Sequence, residues 1–343
     1  MISRMTTSMM ASSSMQTVQR NFTRLADANK ALASGKRMTA PSDDPASSVS
    51  SMRLRKELAA TQQFQRNIDD AASWMQTADS AMQAVSSQYS KAKSTLISSV
   101  SSAKGPESLK ALAADLRHQA QAVMSQANAS YLGRTVFAGN SDKGAAFKVG
   151  SDGTDTLFLP TESDTVTAMD VNRRINADTT LPANLDGNKI FGTGNIKFLV
   201  GNPAQPKEWS QVQDSDNIVG IDTSNNPSVM NLMITAAQIM ESSTGALSGK
   251  QVDMMLAIQD QLDARATTLH EGMSTLGARH KQVLDAQETV LADIQNVKSQ
   301  ISGVEDIDIQ AATIEMSLAS MAYNSSLSST TRVVQPSLLD YLR

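Results

Sequence analysis

No cysteine occurs in the 343 residues, which removes disulfides, thiolate metal sites and thiol nucleophiles together. Aromatic residues are scarce, at 2 Trp, 4 Tyr and 7 Phe. The apolar set therefore leans on Ala, Met, Leu, Val and Ile, which suit thin helix-helix seams better than a thick globular core. No stretch reaches the roughly 20 apolar residues of a membrane-spanning helix, so no membrane insertion is expected. The first thirty residues hold no apolar run of the kind a Sec-type signal carries, so any export is expected to use another route. Basic residues number 30 against 34 acidic, a net charge of -4. Without a cationic surplus to neutralise a phosphate backbone, no nucleic-acid partner is expected.

Histidines are equally sparse. His118, His270 and His280 are the 3 in the chain, and none stands at the i, i+4 spacing that places two imidazoles on one metal. No G-x-S-x-G elbow is found. Gly192 and Gly194 lack the rest of a nucleotide-binding signature, and SDGTD at 151–155 lacks the later Glu of a calcium loop. The expectation is no catalytic residue, no cofactor and no metal.

What the chain does have is long helical periodicity. A register at alternating steps of four and three runs Leu54, Leu58, Thr61, Gln65, Ile68, Ala72, Met75, Asp79, Met82, Ser86, Tyr89, Lys93, Leu96 and Val100, mostly apolar but interrupted by polar residues. Ala71, Trp74, Ala78, Ala81 and Val85 widen that face. A cleaner register runs Val252, Met255, Leu262, Leu269, Leu276, Val283, Val290, Val297 and Ile301. At about 1.5 Å per residue each helix would be roughly 70 Å long, and two stripes of equal length are expected to cover one another as an antiparallel coiled coil. Shorter helical stripes at 106–128 and 228–243 complete a bundle.

Between them the composition shifts. Residues 137–222 hold nine of the 17 Gly and four of the nine Pro. The apolar runs TLFLP, NKIFG and NIKFLV are separated by turn residues, which reads as a small β-rich domain. The expected fold is thus mainly α with a β-rich insert. The divisions are paired terminal helices at 1–42 and 304–343, a helical bundle at 43–136 and 228–303, and an outer domain at 137–227.

Residues 5–19 and 316–331 contain no charged side chain. Both segments are rich in Ser, Thr, Ala and Met, and such helices have little reason to stay solvated on every face. Met5, Met9, Met15, Val18, Phe22 and Leu25 at one end are the expected interface with other subunits. Leu318, Met321, Leu327, Val334, Leu338, Leu339 and Leu342 are its counterpart at the other. Pairing of the two ends within one monomer is the competing reading.

The segment SGKRMTAPSDDPASS at 34–48 reads as punctuation. Adjacent side chains of Asp43 and Asp44 diverge, so the two carboxylates do not form an acid-base pair unaided. Gly35 can close a first helix in the left-handed conformation, Pro41 breaks the path, and Asp44 before Pro45 is an N-cap with Pro at the first helical position. Ser302 and Gly303 are expected to close the second long helix just before VEDID.

SGKRMTAPSDDPASS, ASYLGRTVFAGN at 129–140 and VEDIDIQAATIEMSLASMAYNSSLSSTTRVVQPSLLDYLR at 304–343 resemble signatures of the flagellin superfamily, on its hook-associated branch. The resemblance covers roughly the first 140 and last 110 residues. It implies a flagellin-like rod and a secreted structural protein of the flagellum, exported unfolded through the type III channel. It implies a ring of copies at the hook-filament junction, with the first junction protein on one side and flagellin on the other. An export chaperone on the carboxyl-terminal helix is implied as well. A minor filament flagellin would share almost every feature, and a secreted coiled-coil adhesin is the rival outside the superfamily.

Overall fold

The structure, a computed structural model, describes residues 7–38, 40–100, 105–139, 144–149, 158–160, 170–201, 205–213, 216–224 and 226–334. In chain order the helices are α1 (Thr7–Ser34), α2 (Pro45–Val100), α3 (Pro106–Ala127), α4 (Gly187–Phe191), α5 (Val229–Ser242), α6 (Gly249–Glu305) and α7 (Ile309–Val334). Between α3 and α4 lie strands β1 (Ser130–Tyr131), β2 (Arg134–Thr135), β3 (Phe147–Val149), β4 (Phe158–Pro160), β5 (Asn172–Arg174) and β6 (Thr180–Pro182). Strands β7 (Phe198–Val200), β8 (Gln205–Lys207) and β9 (Ile218–Ile221) follow α4. The chain is mainly α with a β-containing insert. It divides into two compact units, one of residues up to Gln62 and from Leu291 onward, the other Gln63–Val290.

In the larger unit the heptad rule is visible in burial. Ile68, Met75, Met82, Tyr89 and Leu96 on α2 are all buried, as are Met255, Leu262, Leu269, Leu276, Val283 and Val290 on α6. A second α2 column of Ala71, Ala78, Val85 and Ala92 is buried beside the first. Polar pairs mark the register at the edge of the seam. Gln287 donates to Asp69 (2.8 Å), Ser86 lies 3.3 Å from His270, and Lys93 donates to Asp263 (2.7 Å). Each step forward along α2 is matched by an equal step back along α6, so the helices run antiparallel without a skip.

α5 is buried on every side, from Val229 through Ala237 and again at Ile239 and Met240. A helix apolar all round belongs in a core. It packs against α3, whose buried Leu109, Ala113, Leu116, Ala120 and Val123 form one face.

The insert is built from short antiparallel pieces: hairpins β1-β2, β3-β4 and β5-β6, and a three-stranded sheet in the order β8-β7-β9. Its hub is Phe191, whose ring meets Phe137 and Phe147 edge-on at centroid distances of 5.1 and 5.5 Å. The Asn128 side chain fixes the backbone of Phe147, donating to its carbonyl (2.7 Å) and accepting from its N–H (2.9 Å). Arg173 pairs with Asp70 of α2 at 2.6 Å, and Arg279 of α6 donates to the carbonyl of Asn184 at 2.9 Å. These two guanidinium groups tie the insert to the helices that carry it.

One expectation needs correction here. NKIFG forms helix α4, not a strand. Asp186 caps it by accepting from the N–H of Asn188 (2.9 Å), and Gly192 at φ 73° ends it. A Cβ on Gly187 would lie 2.6 Å from the carbonyl oxygen of Phe137, so this close approach of backbone to backbone requires glycine.

In the smaller unit α1 and α7 lie side by side. Asn21 donates to the carbonyl of Ala322 (3.2 Å), and Phe22 meets Tyr323 at 5.8 Å. Lys36 bridges Asp306, so the two helices run antiparallel. Ser51, Leu54 and Thr61 of α2 and Ile294 and Val297 of α6 are also buried.

Candidate assembly face and its joint

Both ends of the chain turn at one joint. Gly35, at φ 67°, closes α1 with its N–H on the carbonyl of Ala31 (2.9 Å). Open space surrounds the position a Cβ would take, so the left-handed backbone, not crowding, favours glycine. Arg37 then donates its N–H to the carbonyl of Glu305 (2.7 Å), and Ile307 donates to that of Gly35 (3.2 Å). The two breaks form a short antiparallel bridge.

Pro41 lies in the turn that follows, and Asp43 accepts from the N–H of Ala40 (2.9 Å). Asp44 accepts from the N–H of Ser47 (3.1 Å) at the head of α2, with Pro45 as its first residue. Hydrogen bonds from Ser47, reinforced by the Arg37 charge, hold the Asp44 carboxyl below its usual range. Asp44→Ala is expected to fray the first turn of α2, read as faster amide hydrogen exchange at Ser47, with the rest of the helix unchanged.

Gly303 does not end a helix. α6 runs through Ser302 and Gly303 to Glu305, two residues further than the glycine suggests. A helical glycine costs only about 1 kcal/mol, which contacts at Glu305 can outweigh. The next helix starts where Asp308 accepts from the N–H groups of Gln310 (2.9 Å) and Ala311 (3.2 Å).

Glu305 is a group that the sequence marks only through the carboxyl-terminal resemblance. Its side chain is 6% exposed, yet it is charged and fully engaged. Arg55 grips it with two parallel bonds of 2.7 and 2.8 Å, Ser51 donates to the same oxygen that receives Arg55 Nε, and Lys36 lies 3.2 Å away. The Arg55 and Ser51 hydrogen bonds, joined by Lys36, hold its carboxyl down at about 2. Lys36 also bonds Asp306 at 2.6 Å. The only sequence signal was its place in VEDID, which carries no hint of burial.

The second component is the surface of the terminal helices. Positions half-covered on α1 are Ser14, Val18, Asn21, Leu25, Ala28 and Leu32. On α7 they are Ala312, Met316, Ala319, Tyr323, Ser326 and Thr330. Each set follows the four-three spacing of a paired seam. The larger apolar side chains stand beside it in solvent: Met9, Met15 at 72% and Phe22 on α1, and Ile314, Leu318 at 57%, Met321 and Leu327 on α7.

The sequence-read stripe thus splits on α1, where Val18 and Leu25 turn inward and Met15 and Phe22 outward. On α7 it is displaced altogether, because small residues let the backbones approach and leave the bulky face free. Gly303 is exposed. Met5, Leu338, Leu339 and Leu342 lie outside the described residues, as does the side chain of Val334.

Many of the hydroxyls on these helices bond their own backbone. Thr17, Thr23, Thr313, Ser317, Ser328 and Thr330 each donate to a carbonyl four residues earlier. Such back-bonding leaves few donors to strip of water if the face is covered. Among the described residues no cluster of three or more His, Cys, Asp or Glu is placed to hold a metal. Nor is any described helix long and apolar enough to cross a membrane.

Comparison with curated proteins returns no match. Solved structures do share the fold. A protein of Vibrio parahaemolyticus assigned as flagellar hook-associated superposes with a TM-score of 0.60 at 15% identity, covering 77% of this chain and 100% of that one. FlgL of Xanthomonas campestris gives 0.57 at 15% identity, over 73% and 99%. Hook-associated protein-3 of Legionella pneumophila gives 0.54 at 12% identity, over 74% and 98%. Residues 5–142 match the bacterial flagellin N-terminal helical region, and residues 259–342 match the bacterial flagellin C-terminal helical region. Both joint-forming segments and both faces of the terminal pair fall inside those matches, and the chain belongs to the flagellin family.

Proposed function

We propose that this chain is a structural junction protein of the bacterial flagellum, secreted through the flagellar export channel and seated between hook and filament. The observation that carries the reading is the exposure of Met15, Phe22, Leu318, Met321 and Leu327 on a helix pair with uncharged stretches. An exposed apolar surface of that kind marks a site where a partner binds. Residues 1–42 and 304–343 act as the assembly module, contacting further copies in a ring, the first junction protein on the hook side and flagellin on the other. The carboxyl-terminal helix is held by an export chaperone before secretion. The fold shared with hook-associated structures supports a flagellar role.

Electron microscopy of labelled protein on intact flagella tests the reading. Label in a narrow band at the hook end agrees with a junction, and label along the filament makes the chain a minor flagellin instead. Loss of the gene should release unassembled flagellin into the medium while hooks remain. The double variant Met15→Ser with Leu318→Ser should fold with unchanged helix content yet incorporate at hook ends about ten-fold less well, given two large side chains of buried area removed. Chaperone pull-down that survives removal of 305–343 would overturn the chaperone assignment.

A further inference from the structure

Two populations of methionine differ sharply in exposure. Met75, Met82, Met230, Met233, Met240 and Met255 are buried at 1% exposure or less. Met9 at 60%, Met10 at 40%, Met15 at 72% and Met321 at 59% stand in solvent on the terminal pair, as does Met52 at 62% on α2, outside that pair. Thioether oxidation follows access, and the chain has no thiol to intercept an oxidant first.

We propose that Met9, Met15 and Met321 are peroxide-modifiable sites whose oxidation disables the assembly face before it is covered. The inference rests on the assembly role proposed above. In the reaction the sulfur lone pair attacks one oxygen of hydrogen peroxide, an S–O bond forms and the O–O bond breaks. Sulfur is oxidised by two electrons, and the peroxide is reduced to one water once the departing hydroxide has taken up the remaining proton. The product is a sulfoxide, a polar and chiral group where an unbranched apolar one stood.

Three such groups on the exposed surface of the terminal pair would each need a hydrogen-bond donor when buried. Of the hydroxyls nearby in sequence, Thr17 and Ser317 are engaged with their own helices. Once assembled, the same face is shielded, so the sensitive interval lies between export and incorporation.

The test uses the purified full chain, treated with hydrogen peroxide and read by peptide mass spectrometry. It is then added to cells lacking the gene, and label at hook ends is scored. Sulfoxide is expected at Met9, Met15 and Met321 well before the six buried methionines. Treated protein is expected to be recruited about ten-fold less than untreated, because burying unpaired polar groups is unfavourable. The triple variant Met9→Leu, Met15→Leu, Met321→Leu should be recruited equally before and after peroxide, and methionine sulfoxide reductase should restore the treated wild type.

Indiscriminate oxidation of buried and exposed methionines overturns the proposal. So does equal recruitment of treated and untreated protein, or a triple variant that remains peroxide-sensitive. Failure of untreated wild-type protein to reach hook ends overturns the junction reading instead, and the two failures are distinguished by the untreated control.

Discussion

Replacing Glu305 by alanine is expected to unlatch the joint and destabilise the smaller unit by about 2–3 kcal/mol, since one buried acceptor of charge-assisted hydrogen bonds is lost. Four donor nitrogens and oxygens, from Arg55, Ser51 and Lys36, converge on its two oxygens. Arg55 reaches in from solvent and can be rehydrated, which keeps the cost below that of a fully buried pair. Glu305→Gln keeps the shape and one acceptor, so its effect should be smaller. Hydrogen exchange at the amides of Arg37 and Ile307 reads the change, because both bond across the bridge. Unaltered exchange in Glu305→Ala would show that the joint holds without its carboxylate.

Acid should do the same reversibly. The carboxyl of Glu305 falls from 4.5 to about 2 in the folded chain, a depressed value. Its contribution is therefore complete above the unfolded value and is lost as pH falls from about 4.5 through 2. Asp306 is held low by Lys36 and Ser302 in the same sense.

Phe191→Ala is expected to cost the larger unit about 3–5 kcal/mol, the range for truncating a buried aromatic side chain. The ring is completely buried and is the one that meets both Phe137 and Phe147. Its loss removes two edge-to-face contacts together with the packing. Thermal unfolding followed by Trp74 fluorescence would register the loss, since Trp74 is buried in the same unit. A midpoint within experimental error of wild type would mean that the rings do not anchor the insert.

The long helices were readable because a heptad repeat leaves its mark at every turn: Ile68, Met75, Met82 and Leu96 are apolar in sequence and buried in fact. The terminal helices were readable only in part. Periodicity reports where the apolar side chains lie, and Leu318 and Met321 do share a face. It does not report which face a neighbour covers, and on α7 the choice went to Ala312, Ala319 and Ser326, whose small size permits close approach. NKIFG was ambiguous for want of length, and the deciding signal was the cap at Asp186, outside the apolar run. Glu305 was opaque for a different reason. A carboxylate at a buried position depends on Arg55 and Ser51, some 250 residues away, and no local pattern encodes that.

The bridge between Lys36 and Asp306 also fixes an order of events. It joins residues 270 positions apart, and closing so long an unstructured loop is entropically unfavourable, the cost rising with the logarithm of its length. Residues 63–290 make a unit from one uninterrupted stretch of chain and can close their contacts without that cost. Once they have folded, the two ends are connected through a short path and no longer search as a free polymer. Residues 63–290 are therefore expected to form their contacts first, with the pairing of α1 and α7 following.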